Sequence, residues 1–218
     1  MRTLLSAAAL VSLACAAPAL AQTQSVSDAT GDFLSGYTGP QLADLDVTSF
    51  SVSYDATAKL FTLGTTFAGA ITPGTAGFYV YGVNTGAGAI RPFASLGQGN
   101  VIFDQAIVVQ KNGTGSVGGT ALDPSWVAIA GNILTVKVPL SLLPSTGFKP
   151  GQYGFNLWPR AGAGNAAISD FAPENATLSA SAAVPEPATW GMLMVGAGLA
   201  GGTLRYRRRR ARPALAVG

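Results

Sequence analysis

Short stretches of alternating apolar and polar residues, separated by turns rich in glycine and proline, recur along the middle of this chain. Residues 45–54, 61–67, 101–110, 133–139 and 153–158 show this period of two, and no segment between them has a long helical period. Alternation places successive side chains on opposite faces of a strand, so that one face can be buried. The sequence therefore predicts an all-β fold, an antiparallel β-sandwich, with a β-barrel as the alternative.

Two local features of this pattern predict details of the sheets. Within residues 45–54 the alternation slips by one position at Thr48 and Ser49, which predicts a β-bulge. Gly131 and Asn132 separate two apolar runs and predict a two-residue hairpin turn. The strand pattern ends near residue 173, which gives a predicted domain of residues 22–173. Residues 174–184, rich in alanine and serine, are predicted to be a linker.

The first 21 residues have the features of a secretory signal peptide. Arg2 supplies the positive start, an apolar run follows, and residues 19–21 form a small-x-small cleavage site. The predicted partners at this step are the Sec translocon and signal peptidase. Cys15 is the one cysteine of the chain and lies inside this segment, so an alternative is a lipoprotein anchored through Cys15. Cleavage after Ala21 leaves a mature chain that can form no disulfide.

The C-terminus contains three features in a fixed order. Pro185, Glu186 and Pro187 form an extended motif, because proline is excluded from helix interiors and restricts the preceding residue. Residues 190–204 carry no charge and predict a transmembrane helix, shorter than the ~30 Å hydrocarbon core. A cationic stop-transfer cluster follows, made of Arg205, Arg207, Arg208, Arg209 and Arg210. This order predicts a precursor anchored in the inner membrane, with the domain outside and the arginines inside.

Residues 184–210 resemble the PEP-CTERM sorting signal, and residues 185–212 are assigned to it. The resemblance implies an exported bacterial protein that exosortase, a membrane cysteine protease, recognises and cuts near the PEP motif. Proteins with this tail are associated with extracellular polysaccharide or biofilm matrix, so the expected destination is the cell surface or the extracellular matrix. The alternative is an ordinary C-terminal membrane anchor.

Charge and composition exclude several classes of function. Residues 22–184 hold six lysines and arginines against nine aspartates and glutamates, so the basic character belongs to the tail and no nucleic-acid partner is expected. The chain has no histidine, which excludes histidine-based catalytic triads and zinc sites. We therefore predict no catalytic residues and no enzyme, and a glycan hydrolase with paired carboxylates is the alternative.

The start of the domain, residues 27–33 and 45–47, resembles DOMON-like sandwiches and family-nine carbohydrate-binding modules. In those proteins acidic residues near this start hold a structural calcium ion. The resemblance implies Asp28, Asp32 and Asp46 as metal ligands. Asp28 and Asp32 match by residue type and spacing, whereas Asp44 and Asp46 match more loosely. Calcium is chemically sensible here, because it takes several oxygen ligands and Asp28 and Asp32 flank a glycine-containing turn. The alternative is an Asx-turn at Asp28 and a solvated Asp32.

Carbohydrate binding needs aromatic faces and a few fixed polar groups. Asn156 and Trp158 share one face of a predicted strand, and Arg160 follows on the same face. These three residues are the predicted ligand-binding residues, although aromatic residues in sandwiches also form cores. The sequence thus predicts an exported protein whose domain binds extracellular polysaccharide or serves as a matrix component. The alternative is a purely structural surface protein without a small ligand.

Overall fold

The computed structural model describes residues 22–88 and 90–180, together with Met194 and Gly196. The domain lies within the compact unit Ala21–Val184. The predicted signal peptide (1–21), the sorting motif (Pro185, Glu186, Pro187) and the arginine cluster lie outside the described residues. So does the predicted transmembrane helix (190–204), except for Met194 and Gly196, which are helical. In the part of the chain that the structure describes, no helix is long and apolar enough to cross a membrane.

Eleven strands and several short 3₁₀ turns make up the described domain. In chain order the strands are β1 (Gln24–Ser27), β2 (Val47–Asp55), β3 (Leu60–Phe67), β4 (Phe78–Asn84), β5 (Gln105–Gln110), β6 (Gly115–Val117), β7 (Thr120–Ala121), β8 (Val127–Ala130), β9 (Ile133–Pro139), β10 (Gly154–Arg160) and β11 (Leu178–Ser179). They form a first sheet in the order β1-β2-β3-β9-β8 and a second sheet in the order β11-β10-β4-β5-β6-β7. All the pairings are antiparallel. The prediction of an all-β, antiparallel fold is confirmed.

Both sheets contribute their inward residues to one hydrophobic cluster. Phe50, Phe61 and Leu134 come from the first sheet, and Tyr81 and Phe155 come from the second. All five side chains are fully buried. Because the alternation in each strand places these residues on the same side, the two sheets face each other across this cluster.

The two local predictions from the sequence pattern are confirmed. Val47 pairs with Phe67 and Ser49 pairs with Thr66, so Thr48 is the extra residue of a bulge in β2. Ala130 pairs with Ile133 across the turn between β8 and β9. Gly131 in this turn has a φ of +63°, a conformation that glycine adopts without strain.

A second hydrophobic cluster lies on the outer side of the second sheet. Trp158 of β10 and Val80 of β4 point away from the main cluster and meet side chains from the loops that follow these strands. The buried members are Val80, Phe93, Val101, Trp158, Ile168 and Phe171. The strand predicted over residues 101–110 is shorter than expected, since β5 begins at Gln105. Its Ile107 and Val109 join the first cluster, while Val108 packs against the second, so β5 is covered on both faces.

Ordered packing continues into the predicted linker of residues 174–184. Leu178–Ser179 form β11, which pairs with β10, and Ala180 is fully buried. β11 also lies against β1 and β2. The first and last strands of the domain therefore meet at one corner, where the edges of the two sheets come together.

Candidate metal centre

Three separate segments of the chain bring aspartates together at the start of β2. Asp46 ends the short turn that precedes β2, and Asp32 lies in the loop after β1. The backbone N–H of Gly31, beside Asp32, donates to Asp46 Oδ2 at 2.7 Å. Asp170 follows β10, and the backbone N–H of Val47 donates to its Oδ2 at 2.8 Å. The first hydrogen bond connects the loop after β1 to Asp46, and the second fixes Asp170 at the start of β2.

The three carboxylates are close enough to share one ion. One oxygen from each of Asp32, Asp46 and Asp170 lies within 4.8 Å of the other two. Asp46 and Asp170 are almost completely buried, with exposed fractions of 4% and 2%. Ligand oxygens sit ~2.3–2.6 Å from calcium, so oxygens on opposite sides of the ion are about 4.6–5.2 Å apart. The observed spacing falls within that limit.

Several carboxylate oxygens in this cluster are buried without a hydrogen-bond partner. They are Asp28 Oδ2, Asp32 Oδ1 and Asp46 Oδ1. Asp28 directly follows β1, where its backbone N–H donates to the Thr48 carbonyl at 3.0 Å. None of these aspartates forms an ion pair with a lysine or arginine of the described residues. A buried carboxylate oxygen without a partner is unfavourable, and a cation bound at Asp32 and Asp46 would lower that cost.

The electrostatics of the cluster also favour a positive charge. Burial, together with the charges of Asp28 and Asp32, raises the pKa of Asp170 to about 8, although a backbone hydrogen bond from Val47 opposes the shift. Burial and the charge of Asp32 raise the pKa of Asp28 to about 6. Burial also raises the pKa of Asp46. These shifts arise because several carboxylates share a poorly hydrated space, where a cation would stabilise their charged forms.

The chemistry of the donors selects among metals. The side chains here offer carboxylate oxygens, and no described nitrogen or sulfur ligand accompanies them. Zinc prefers nitrogen and sulfur, whereas calcium takes six to eight oxygens in a flexible arrangement. The residues fit a calcium ion held by Asp32, Asp46 and Asp170, with Asp28 beside them. Of the predicted metal ligands Asp28, Asp32 and Asp46, the group of close carboxylates contains Asp32 and Asp46, and its third member is Asp170 in place of Asp28.

Asp44, one of the two looser matches in the sequence, lies elsewhere and has a different partner. Its Oδ2 is 2.7 Å from Lys111 Nζ, and both side chains are buried. Beside this pair a cavity of about 230 Å³ is lined by Leu42, Ala43, Asp44, Gly69, Ala70, Thr72 and Thr75. Asp44 therefore belongs to a structural ion pair rather than to the aspartate cluster.

Trp158, predicted to bind a ligand, lies inside the second hydrophobic cluster. It is 3% exposed. Its ring centroid lies 5.0 Å from those of Phe93 and Phe103 and 6.2 Å from that of Phe171. Gly82 on the neighbouring strand leaves room for the indole, because a Cβ there would lie 2.6 Å from it. A sugar ring has no access to the faces of this indole.

The other two predicted ligand residues bond within the domain. Asn156 is 1% exposed, and its Nδ2 donates to the carbonyls of Pro173 and Ala176 at 2.6 and 2.8 Å. Arg160 is half-buried and donates to the carbonyls of Gly162 and Gly164, both at 2.8 Å. These contacts hold the chain that follows β10 against the second sheet. The structure gives Asn156, Trp158 and Arg160 structural roles and offers no support for a sugar site there.

Asp170 is the site residue that the sequence did not single out as a ligand. It lies 124 positions after Asp46 in the chain, so no local spacing connects the two. The sequence feature that could have indicated its role is its position between two apolar residues, Ile168 and Phe171, which are both fully buried. A carboxyl group within such an apolar run requires a partner when it is buried. The local sequence therefore indicates a buried site, but it does not identify the other residues of that site.

The C-terminus identifies the chain as an exported protein with a C-terminal sorting signal. The family model for the PEP-CTERM protein-sorting motif matches residues 183–210. The predicted resemblance is confirmed: the chain carries this motif, which marks an exported substrate of exosortase with a membrane-associated precursor. No curated protein and no solved structure matches the chain.

Proposed function

We propose that this chain is an exported surface or matrix component whose β-sandwich is stabilised by one calcium ion and binds carbohydrate. The observation that carries the calcium assignment is the set of buried, unpartnered carboxylate oxygens at Asp28, Asp32 and Asp46. Support for the carbohydrate role comes from the sorting motif, since proteins with this tail are associated with extracellular polysaccharide. We propose no catalytic activity for the domain.

In this arrangement calcium would cross-link separate segments of the chain. Asp32 belongs to the loop after β1, Asp46 to the turn before β2, and Asp170 to the segment after β10. One ion bound to all three would connect two early segments of the domain with a late one. Cleavage of the signal peptide removes Cys15, so no disulfide is available for this purpose. The ion would stabilise the folded state through its preferential binding to it.

Thermal unfolding of the full-length protein in mild detergent, with calcium and with chelator, tests the calcium assignment. Calcium is expected to raise the melting midpoint, since a ligand that binds only the folded state at a hundred times its dissociation constant adds ~2.7 kcal/mol. Asp46→Asn and Asp170→Asn are expected to abolish this rise. Isothermal titration calorimetry should give one ion per chain.

Asp123→Asn is the matched control for these variants. Asp123 is exposed and caps a short turn by accepting from the Ser125 N–H at 2.8 Å. Asparagine keeps this capping oxygen, so Asp123→Asn should retain the full response to calcium. A wild-type midpoint that is the same in millimolar calcium and in chelator would overturn the calcium assignment.

A further inference from the structure

The ordered domain ends very close to the sorting motif. The last strand, β11, is Leu178–Ser179, and the backbone N–H of the next residue, Ala180, donates to the carbonyl of Tyr153 at 2.9 Å. Ala180 is fully buried. Four residues, 181–184, separate it from Pro185. A fully extended chain adds at most ~3.6 Å per residue, so these four residues reach no further than about 14 Å.

This reach is short for a chain that a protease has to bind. The sorting motif marks the protein as a substrate of exosortase. An extended peptide is recognised along several residues, with alternate side chains in separate pockets. The domain of about 160 residues has a radius of gyration of about 15 Å, which is as large as the reach of the connecting residues. While β11 stays paired, the domain therefore restricts access to the residues before the motif.

Two buried side chains hold the segment that precedes β11. Asn156 donates through Nδ2 to the carbonyls of Pro173 and Ala176. The side-chain oxygen of Gln98 accepts from the backbone N–H of Asn175. Asn156 and Gln98 are both buried. This segment is thus fixed to the domain independently of β11.

The strand β11 itself is held by few contacts. It lies at the edge of the second sheet, and its two residues pair with Gly154 and Phe155 of β10. Leu178 is partly buried against the first cluster, whereas Ser179 is exposed. Short edge segments with few buried contacts open locally at a lower free energy than the whole domain. Residues 177–180 can therefore detach while the segment before them stays in place.

Detachment would double the length of chain between the domain and the motif. Eight residues, 177–184, would then precede Pro185 in place of four. Their maximum reach is about 29 Å. Asp170 lies before the segment that Asn156 holds, so the aspartate cluster would remain assembled.

We propose that β11 is a releasable strand, and that exosortase acts on a state of the precursor in which residues 177–180 have left β10 while the rest of the domain stays folded. This inference goes beyond calcium and carbohydrate binding and uses only the confirmed sorting motif. When opening and closing are fast relative to cleavage, the population of the open state sets the rate. The stability of β11 then controls how fast the precursor is processed.

Pulse-chase immunoblotting of the full-length chain, in cells that carry its exosortase, tests the proposal. Leu178→Ser weakens the contact of β11 with the first cluster. A second variant has Gly-Ser-Gly-Ser inserted after Ser181, which lengthens the chain outside the matched residues 183–210. A third variant combines the two changes. Ile129→Ser is the matched control, because Ile129 also lies in an edge strand and packs partly buried against the first cluster.

Leu178→Ser and the insertion are each expected to speed processing by at least about threefold, since each removes the need to wait for rare opening of β11. In the lengthened chain, Leu178→Ser should have no further effect. Ile129→Ser should be processed at the wild-type rate. An unchanged rate for Leu178→Ser, or its full effect in the lengthened chain, would overturn the proposal. Equal acceleration by Ile129→Ser would attribute the effect to general unfolding and would overturn it as well.

Hydrogen exchange of the wild-type, full-length protein in mild detergent gives a readout that requires no variant. The amide of Ala180 donates to the Tyr153 carbonyl, and the amide of Leu157 in β10 donates to the Ala172 carbonyl. The Ala180 amide should exchange at least about a hundredfold faster, because it is exposed by the local opening. Equal protection of the two amides would mean that β11 opens only together with the whole domain, and would overturn the proposal.

Discussion

Asp44 Oδ2 and Lys111 Nζ form an ion pair at 2.7 Å, and the exposed fractions of the two side chains are 4% and 3%. The pair joins the turn before β2 to the residue after β5, so it connects the two sheets. Lys111 Nζ also donates to Thr75 Oγ1 at 2.9 Å, and the Thr72 N–H donates to Asp44 Oδ2 at 3.2 Å. Both charged groups are therefore hydrogen-bonded as well as paired, so removal of either one would leave the other buried without its partner.

Lys111→Met is expected to destabilise the domain by roughly 3–5 kcal/mol, because Asp44 is then buried without its partner. Adding Asp44→Asn in the same chain replaces the unpaired carboxyl group with a neutral amide and should restore part of the loss. Urea unfolding of the two single variants and the double variant measures the coupling. Strictly additive effects would mean that the two side chains do not stabilise each other.

The aspartate cluster predicts an unusual pH dependence when calcium is removed. The pKa values of Asp28 and Asp170 in the folded domain, about 6 and about 8, lie above the ordinary value of 3.8. Between pH 3.8 and about 8 the folded state therefore binds more protons than the unfolded state. Stability then falls as the pH rises from about 4 through 8. In chelator, the contribution of this cluster should give a lower melting midpoint at pH 9 than at pH 5.

Saturating calcium should flatten this trend, because the ion binds the charged carboxylates and competes with protons. The calcium-induced rise in the melting midpoint should thus be larger at pH 9 than at pH 5. Asp170→Asn serves as the comparison, since it removes the group with the highest pKa of the cluster. A calcium effect that is independent of pH would contradict the assignment of these aspartates.

Gly82 and Trp158 are predicted to depend on each other. A Cβ at position 82 would lie 2.6 Å from Cη2 and Cζ3 of the Trp158 indole. Gly82→Ala is expected to cost about 1–3 kcal/mol through overpacking. In a Trp158→Leu background, which leaves space beside position 82, the same change should cost less. Denaturant midpoints of the four proteins measure this, and an equal cost in both backgrounds would place the strain elsewhere.

Replacement of Pro185, Glu186 and Pro187 by alanine is expected to block sorting, because the motif that exosortase recognises is lost. The full-length form should accumulate in the membrane fraction, and the processed form should disappear from immunoblots. Ser181→Ala lies outside the matched residues 183–210 and is the control. Normal processing of the triple variant would mean that this tail acts as an ordinary membrane anchor and not as a sorting signal.

The sheets were predictable from local pattern because strand alternation and turn chemistry are encoded within a few neighbouring residues. The slip at Thr48 and Ser49 is a bulge, and Gly131 and Asn132 form a hairpin turn. The short strands β1, β6, β7 and β11 were not predicted, since two to four residues are too few to show a period. Their pairing depends on neighbours that the local sequence does not specify.

The candidate site was only partly predictable, because its members are distant in the chain. Asp28, Asp32 and Asp46 lie near one another in the sequence, whereas Asp170 joins them through the register of the folded sheets. Trp158 illustrates a different limit. Alternation places it on the face opposite Tyr153 and Phe155, but cannot say whether solvent or a covering loop lies beyond that face.

The meeting of β1 and β11 at one corner has a mechanical consequence. Both ends of the domain leave from the same place, so a pull between them acts on a four-residue strand and a two-residue strand. The force would act first on the hydrogen bonds that pair β1 with β2 and β11 with β10. The longer strands β2, β3, β4 and β10 would separate from one another only later. A domain pulled through its ends would therefore yield at its margin and keep its interior intact.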